Sequence, residues 1–229
     1  MADDEIAARL RALDVCAVSD ALDRLKLPAS VSGLRPQTVR ARIAGRVTTV
    51  KFAAGARTGK QHACTAAVEA AAEGGIVVIE QRTGVDAAGW GGILSRAARH
   101  KQLSGAIVDG PARDIDEAHD IGFPVFARGA TARTARSRIY EAETGGPVLI
   151  GEVMVEPGDW AVADSSGVAF IKPADVEQVL AAAEAIAARE AAMTLDVEAG
   201  RPVGTVMGAS YEHMLHPSPP PAGEREISR

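Results

Sequence analysis

Arg113, Asp114 and Glu117 form an Arg-Asp-x-x-Glu group, and twenty residues separate it from Gly92. Two acids three positions apart share a face where the chain is helical. Such a pair suits a hard cation. Mg²⁺ takes one or two carboxylates and completes its octahedron with water and substrate. In this reading one acid ligates the ion and the other holds a bound water. Asp114 also has a plainer role, capping a helix and complementing its dipole. Arg113 is either a surface ion-pair partner or a fixed cationic fork for a carboxylate or a developing enolate oxygen. Upstream lie Gly89, Gly91 and Gly92. Glycines ahead of a helix let backbone N–H groups approach an anion closely, although an ordinary flexible loop has the same composition. The spacing in GVDAAGWGG fits neither G-x-G-x-x-G nor G-x-x-x-x-G-K-[ST], which weighs against a dinucleotide or phosphate loop. An N–H nest, an arginine and a carboxylate-held cation together describe a receptor for a 2-oxo acid. The metal would chelate the keto oxygen and a carboxylate oxygen, and so polarise the carbonyl while the neighbouring C–C bond breaks.

The elements that must hold these residues follow from hydrophobic periodicity and turn residues. Residues 4–13 and 15–25 predict two helices, the second stopped by Pro28. Residues 39–52 are rich in β-branched side chains and interrupted at Gly45, which predicts one or two strands. An alanine-rich helix over 61–73 leads to a buried strand at 76–79. The glycine loop then opens a helix over 92–101, followed by a strand at 105–109, a short helix from 115 and a strand at 125–127. This alternation predicts an α/β domain with parallel pairing. Beyond Gly129 short strands at 147–150, 152–155, 160–163 and 168–171 are separated by Pro-Gly and Ser-Gly turns, an antiparallel or barrel-like pattern. A long helix follows over 173–197, with Pro173 suited to its first position. Residues 1–200 are expected to form a single α/β domain. Residues 201–229 form a C-terminal extension whose proline-rich end, from His216, is expected to be disordered.

Composition narrows the class. The 229 residues are 47% hydrophobic and 24% charged, enough for a soluble core, but only 3% aromatic. A core of small side chains gains from burial at a subunit interface. A net charge of −5 argues against a nucleic-acid surface. Cys16 and Cys64 have no metal or disulfide spacing and read as reduced thiols. The acidic N-terminus has no signal-peptide character, and no apolar run approaches the ~20 residues of a membrane helix. A cytoplasmic protein is expected, without nucleic-acid or membrane partners.

Gly92, the twenty-residue spacer, Arg113-Asp114 and Glu117 resemble the signature of a known family. It comprises the class II 4-hydroxy-4-methyl-2-oxoglutarate aldolases and the regulator of ribonuclease activity A proteins. Val18-Ser-Asp-Ala-Leu22, Ile107-Val-Asp-Gly110, Gly122-Phe-Pro-Val-Phe-Ala-Arg-Gly129 and the segment 164–173 are similar to family sequence in order and spacing. The resemblance covers roughly residues 14–195. It implies a swivelling α-β-β-α sandwich with a mixed, barrel-like central sheet, assembled as trimers or hexamers with sites between subunits. It implies Mg²⁺ or Mn²⁺ held through Asp114. It also implies a pyruvate-like 2-oxo acid bound by Arg113 and the backbone amides of Gly91, Gly92, Ile93 and Leu94, with Arg113, Asp114 and Glu117 as the catalytic set. The implied activity is carbon–carbon cleavage of short 2-oxo diacids: oxaloacetate decarboxylation, retro-aldol cleavage to pyruvate, or both. The alternative is a non-catalytic, protein-binding regulator of ribonuclease E type.

One departure bears on the chemistry. The aldolases carry an aspartate where this chain has Gly92. Retro-aldol cleavage must remove a hydroxyl proton and needs a base, whereas decarboxylation needs only the electron sink. Decarboxylation is therefore expected to be the sturdier activity. Glu190 could replace the acid from a neighbouring subunit, or be a plain surface residue.

Other residues carry weaker signals. His100 and His119 lie near the site, but His119 does not share a helical face with Asp114. His213 and His216 lack a third zinc ligand, and Cys64 lacks the partners of a catalytic thiol. Arg128, Arg133, Arg136 and Arg138 crowd one loop, either as solvated charge or as anion and inter-subunit partners. Trp90 either lids the pocket or packs.

Overall fold

The structure is a computed structural model and describes residues 2–28, 30–56 and 62–208. Two helices open the chain, α1 (Asp3–Ala12) and α2 (Val15–Leu25). Asp14 caps α2 by accepting from the Ala17 N–H, and Lys26 ends it in the left-handed conformation. Next come β1 (Arg35–Pro36), β2 (Ile43–Ala54), α3 (Thr65–Ala70), β3 (Ile76–Glu80), α4 (Gly92–His100), β4 (Gly105–Ala112), α5 (Ile115–Asp120) and β5 (Val125–Ala130). The second half supplies β6 (Ile139–Thr144), β7 (Val148–Ile150), β8 (Val153–Val155), β9 (Trp160–Ala163), β10 (Val168–Ile171), α6 (Val176–Glu198) and α7 (Val203–Val206).

The main sheet runs β1-β5-β4-β3-β2-β9-β10, with β6 also on β2, and curls into a half barrel. β2 to β5 pair in parallel through β3 and β4, while β1, β6, β9 and β10 join antiparallel. β7 and β8 form a separate antiparallel hairpin. This is the mixed sheet expected from the switch in pattern after Gly129.

Strand alternation builds the layers. Val77, Ile79, Ala106 and Val108 point to a core shared with α3, α4 and α5. Their neighbours Ile76, Val78 and Ile107 point the other way, into the curl, where they meet Ala161, Ala163, Val168 and Phe170 of β9 and β10. The outer side of β9 and β10 packs on α1, α2 and α6 through Leu10, Val18, Leu22, Leu180 and Ile186. The order is therefore helices, sheet, sheet, helices, the expected α-β-β-α sandwich. Strands covered on both faces read as continuous apolar runs, which is why Ile76 to Ile79 shows no polar alternation.

Several boundaries differ from the sequence expectation. Gly45 does not break a strand, because β2 runs uninterrupted for 12 residues. Its glycine answers a close approach instead, since a Cβ there would lie 2.1 Å from the Gly74 carbonyl oxygen. The helix expected over 61–73 is only Thr65–Ala70: Cys64 is left-handed (φ 65°) and Ala71 is extended. Pro173 does not open α6; residues 172–175 make a turn, closed by the Asp175 N–H on the Lys172 carbonyl, and the helix starts at Val176. β6 was not anticipated because Glu141, Glu143 and Thr144 give it little apolar character, yet it pairs with β2 from Val50 to Ala54. The proline-rich end and the His213/His216 pair lie outside the described residues. No helix among the described residues is long and apolar enough to cross a membrane.

Candidate active site

The site is built where the chain leaves β4. The glycine loop runs beside the end of that strand: the Gly89 N–H donates to the Pro111 carbonyl and the Arg113 N–H to the Trp90 carbonyl, at 2.9 and 3.0 Å. Gln81, buried behind the loop, donates its amide to the carbonyls of Ala87 (2.6 Å) and Val85 (3.2 Å). Trp90 is buried, donates Nε1 to Ser95 Oγ at 2.9 Å and stacks on Phe123 with ring centroids 6.2 Å apart. It therefore packs in the core, and it also forms part of the pocket wall. These contacts fix Gly91 and the start of α4 against Arg113 and Asp114.

Asp114 does not take the helix-capping role. It stands before α5 in the left-handed conformation (φ 56°, ψ 41°), and its side chain makes no cap to that helix. A non-glycine residue held there stores about 1 kcal/mol or more, and aspartate is among the residues that tolerate it. The strain turns the carboxylate toward the glycine loop. Oδ2 accepts the Gly92 N–H at 2.9 Å and Arg113 Nε at 3.2 Å. Oδ1 has no hydrogen-bond partner among the described residues. Gly91 lets the two side chains come close, because a Cβ there would lie 2.9 Å from Asp114 Oδ2 and 3.4 Å from Arg113 Cγ, and one of them would have to shift.

Gly91, Gly92, Ile93, Leu94, Arg113 and Asp114 all line one pocket of about 200 Å³. Ile93 is 83% exposed and Leu94 buries its side chain in the core, and both offer the pocket their backbone at the start of α4. Of the expected nest of amides, Gly91 to Leu94, one is taken within the site itself. The Gly92 N–H is engaged by Asp114, whereas the Ile93 and Leu94 N–H groups have no backbone partner among the described residues. Such orphan donors at the start of a nine-residue helix point at any anion in the pocket.

Glu117 behaves differently from the expectation. It sits under Gly92, so close that a Cβ at that position would come within 2.0 Å of its Oε2. It does not line the pocket, and it pairs with Arg96. Asp114 and Glu117 thus meet around Gly92 and not as two acids on one helical face, because Asp114 precedes the helix and turns its carboxylate to Gly92 while Glu117 approaches the same glycine from α5. Among the described residues no three His, Cys, Asp or Glu side chains gather into a cation cage. A Mg²⁺ site of the open kind still fits: one unengaged carboxylate oxygen, on a side chain 36% exposed at a pocket, with room for water and substrate.

Sequence reasoning missed Arg96, which lies one helical turn after Gly92, and it gave no weight to His62 and Thr134, which also line the pocket. Of the arginine crowd, Arg128 pairs with the buried Asp109 at 2.7 Å and Arg133 with Asp86 at 3.5 Å. Arg136 lines the pocket. His100 and His119 are exposed on their helices. Cys64 is fully buried, and burial, with Glu141 adding, pushes its thiol well up, the reverse of what a nucleophile needs. Glu190 lines a shallow depression on α6 with Met193 and Met207, not the pocket of Arg113. Burial first, then Asp14 and Asp20, raise its pKa.

Comparison with known proteins gives consistent matches. A family profile described as RraA-like: Aldolase/RraA matches residues 15–170. A protein of Halalkalibacterium halodurans, provisionally named 4-hydroxy-4-methyl-2-oxoglutarate aldolase, is 30% identical over 221 residues, 95% of this chain and 99% of that one. Protein DlpA of Legionella pneumophila is 26% identical over 164 residues, which are 71% of this chain but only 27% of that larger protein. Among solved structures, an uncharacterized protein from Pseudomonas syringae pv. tomato superposes with a TM-score of 0.80 at 24% identity, covering 90% of this chain and 98% of that one.

Proposed function

The chain belongs to the RraA-like family, Aldolase/RraA, and from that premise we propose that it is a divalent-metal-dependent carbon–carbon lyase acting on short 2-oxo diacids. The observation that carries the proposal is the Asp114 carboxylate. Its backbone is strained, one oxygen is tied to Gly92 and Arg113, and the other is left unengaged at a small pocket. Strain of this kind persists where surrounding structure over-determines it, and it clusters at working sites.

Asp114 would hold Mg²⁺ or Mn²⁺ through Oδ1, and the ion would supply Lewis-acid polarisation of the substrate carbonyl. Every other part belongs to the chain. The Ile93 and Leu94 amides receive the substrate's first carboxylate. Arg113, anchored through Nε on Asp114, has its remaining guanidinium N–H groups for the keto oxygen as charge builds there. In oxaloacetate the C3–C4 bond breaks, CO₂ leaves, the electron pair passes toward the C2 oxygen, and a proton returns to C3 to give pyruvate. No base is required. Retro-aldol cleavage does require one; Gly92 supplies none, and among the described residues the acid nearest that position, Glu117, is paired to Arg96. We therefore rank oxaloacetate decarboxylation above cleavage of 4-hydroxy-4-methyl-2-oxoglutarate.

Trimeric or hexameric assembly belongs to the same proposal. Leu195, Val197, Val203 and Met207 are exposed apolar side chains on and around the last helices, surface that subunit contact would cover. The reading of the protein as a non-catalytic regulator of ribonuclease E type gives the strained aspartate no task.

The test is pyruvate release from both substrates with Mg²⁺, with Mn²⁺ and with chelator, on the wild type and Asp114→Ala. Metal-dependent release lost by a factor of 100 or more, corresponding to about 2.7 kcal/mol of barrier, is expected. An inactive wild type that retains a ribonuclease on affinity capture would reverse the assignment.

A further inference from the structure

The pocket carries a second cation for which the site as described has no use. Residues 134–136 line it together with Arg113 and the glycine loop. Nearby, Arg96 has Glu117, Arg113 has Asp114, Arg128 has Asp109 and Arg133 has Asp86, while Arg138, which does not line the pocket, spends its guanidinium on backbone carbonyls. Arg136 has none among the described residues, although it is exposed at the pocket wall.

Its segment is also built rather than loose. The Arg136 N–H donates to Thr134 Oγ1 at 3.3 Å, and Arg138 Nη1 donates to the Thr134 and Arg136 carbonyls at 3.3 and 3.4 Å. The Ala88 N–H donates to the Arg133 carbonyl at 3.0 Å, tying this segment to the glycine loop. Ala135 packs on the core that holds Trp90. A braced backbone presenting a guanidinium without an acid is an anion subsite in waiting.

We propose that Arg136 binds the distal carboxylate of the 2-oxo acid and makes the pocket selective for diacids over monoacids. The proposal rests on the lyase reading for its ligand class. The volume supports it: about 200 Å³ lies below the usual range for drug-sized ligands and suits a short acid that spans two cations.

The experiment is titration calorimetry of the full chain in Mg²⁺ with two uncleaved probes, pyruvate and 2-oxoglutarate. The variants are Arg136→Gln, Arg136→Lys and, as a matched loss of charge outside the pocket, Arg133→Gln. Arg136→Gln is expected to weaken 2-oxoglutarate by about 10- to 100-fold, the effect of losing one charge-assisted pair. Pyruvate affinity should hold within about threefold, Arg136→Lys should recover part of the loss, and Arg133→Gln should change neither probe. Equal weakening of both probes, no weakening, or a wild type that does not prefer the diacid each overturns the proposal. Diacid-selective binding by a protein that releases no pyruvate from oxaloacetate would sink the lyase reading and leave this subsite standing.

Discussion

Restoring the acid that the aldolases carry is the sharpest perturbation of this site. In Gly92→Asp the new Cβ would meet Glu117 Oε2 at 2.0 Å, Glu117 Cδ at 2.6 Å and Asp114 Cβ at 3.1 Å. The first two atoms are the end of a flexible side chain, so Glu117 can swing away at the cost of its pair with Arg96. That pair is exposed, at 59% and 36%, and contributes about 0.2–1 kcal/mol. The third contact asks Asp114 to give by a few tenths of an ångström. Two carboxylates about 5 Å apart at water-like to surface dielectric then repel by about 1–3 kcal/mol. Against this, an acid in the first turn of α4 gains about 0.3–1 kcal/mol from the helix dipole, and replacing glycine at an ordinary φ gains about 0.4–1 kcal/mol through the unfolded chain. The balance is a loss of about 1 kcal/mol in chelator, or about 2–4 °C in Tm for a chain of this size. Mg²⁺ should reverse it, since a cation at 100 times its Kd stabilises by about 2.7 kcal/mol. Retro-aldol activity should rise relative to decarboxylation. The assay is thermal denaturation with EDTA and across a Mg²⁺ series, alongside both pyruvate-release rates. A fall in Tm above about 10 °C in chelator would mean Glu117 cannot move aside. A Mg²⁺ response no larger than that of wild type would refute the placement of the cation on Asp114.

Two further variants test neighbouring parts. Arg96→Gln frees Glu117 and removes only an exposed ion pair, so stability should fall by less than about 1 kcal/mol, while Glu117, released beside Gly92, should sharpen the dependence of Tm on Mg²⁺; an unchanged metal response argues that Glu117 plays no part. Glu184, held below its ordinary value of 4.5 by Arg9, ties α6 to α1. A depressed carboxylate contributes stability above its unfolded pKa and loses it as pH falls through the folded value. Glu184→Gln should therefore lower stability by at most about 1 kcal/mol at pH 7 and by nothing well below pH 4, as read by urea denaturation at both pH values.

What could be read beforehand was mostly what a local rule decides. Ile76 to Ile79 is too apolar and too short to be anything but a covered strand, and the Gly-Phe-Pro after α5 ends a helix wherever it occurs. The site residues were legible as a spacing, and Arg113, Asp114 and the glycine loop do meet at one pocket. What failed depends on tertiary partners. Asp114 looks like a helix cap until β4 brings it beside Gly92, whose N–H outcompetes the cap. Glu117 reads from the sequence as a partner for a bound water or the reaction, and its ion pair with Arg96, on another helix, is not visible in the spacing. β6 is nearly unreadable because its strand character comes from β2 and not from its own side chains.

That long β2 strand has a consequence of its own. Residues 43–46 zip onto β9 and residues 47–51 onto β3, so one unbroken ribbon belongs to both halves of the molecule. Neither half keeps a complete sheet if the other melts. A strand shared in this way couples the pocket side to the α1–α2–α6 face, so damage to either is expected to loosen the other.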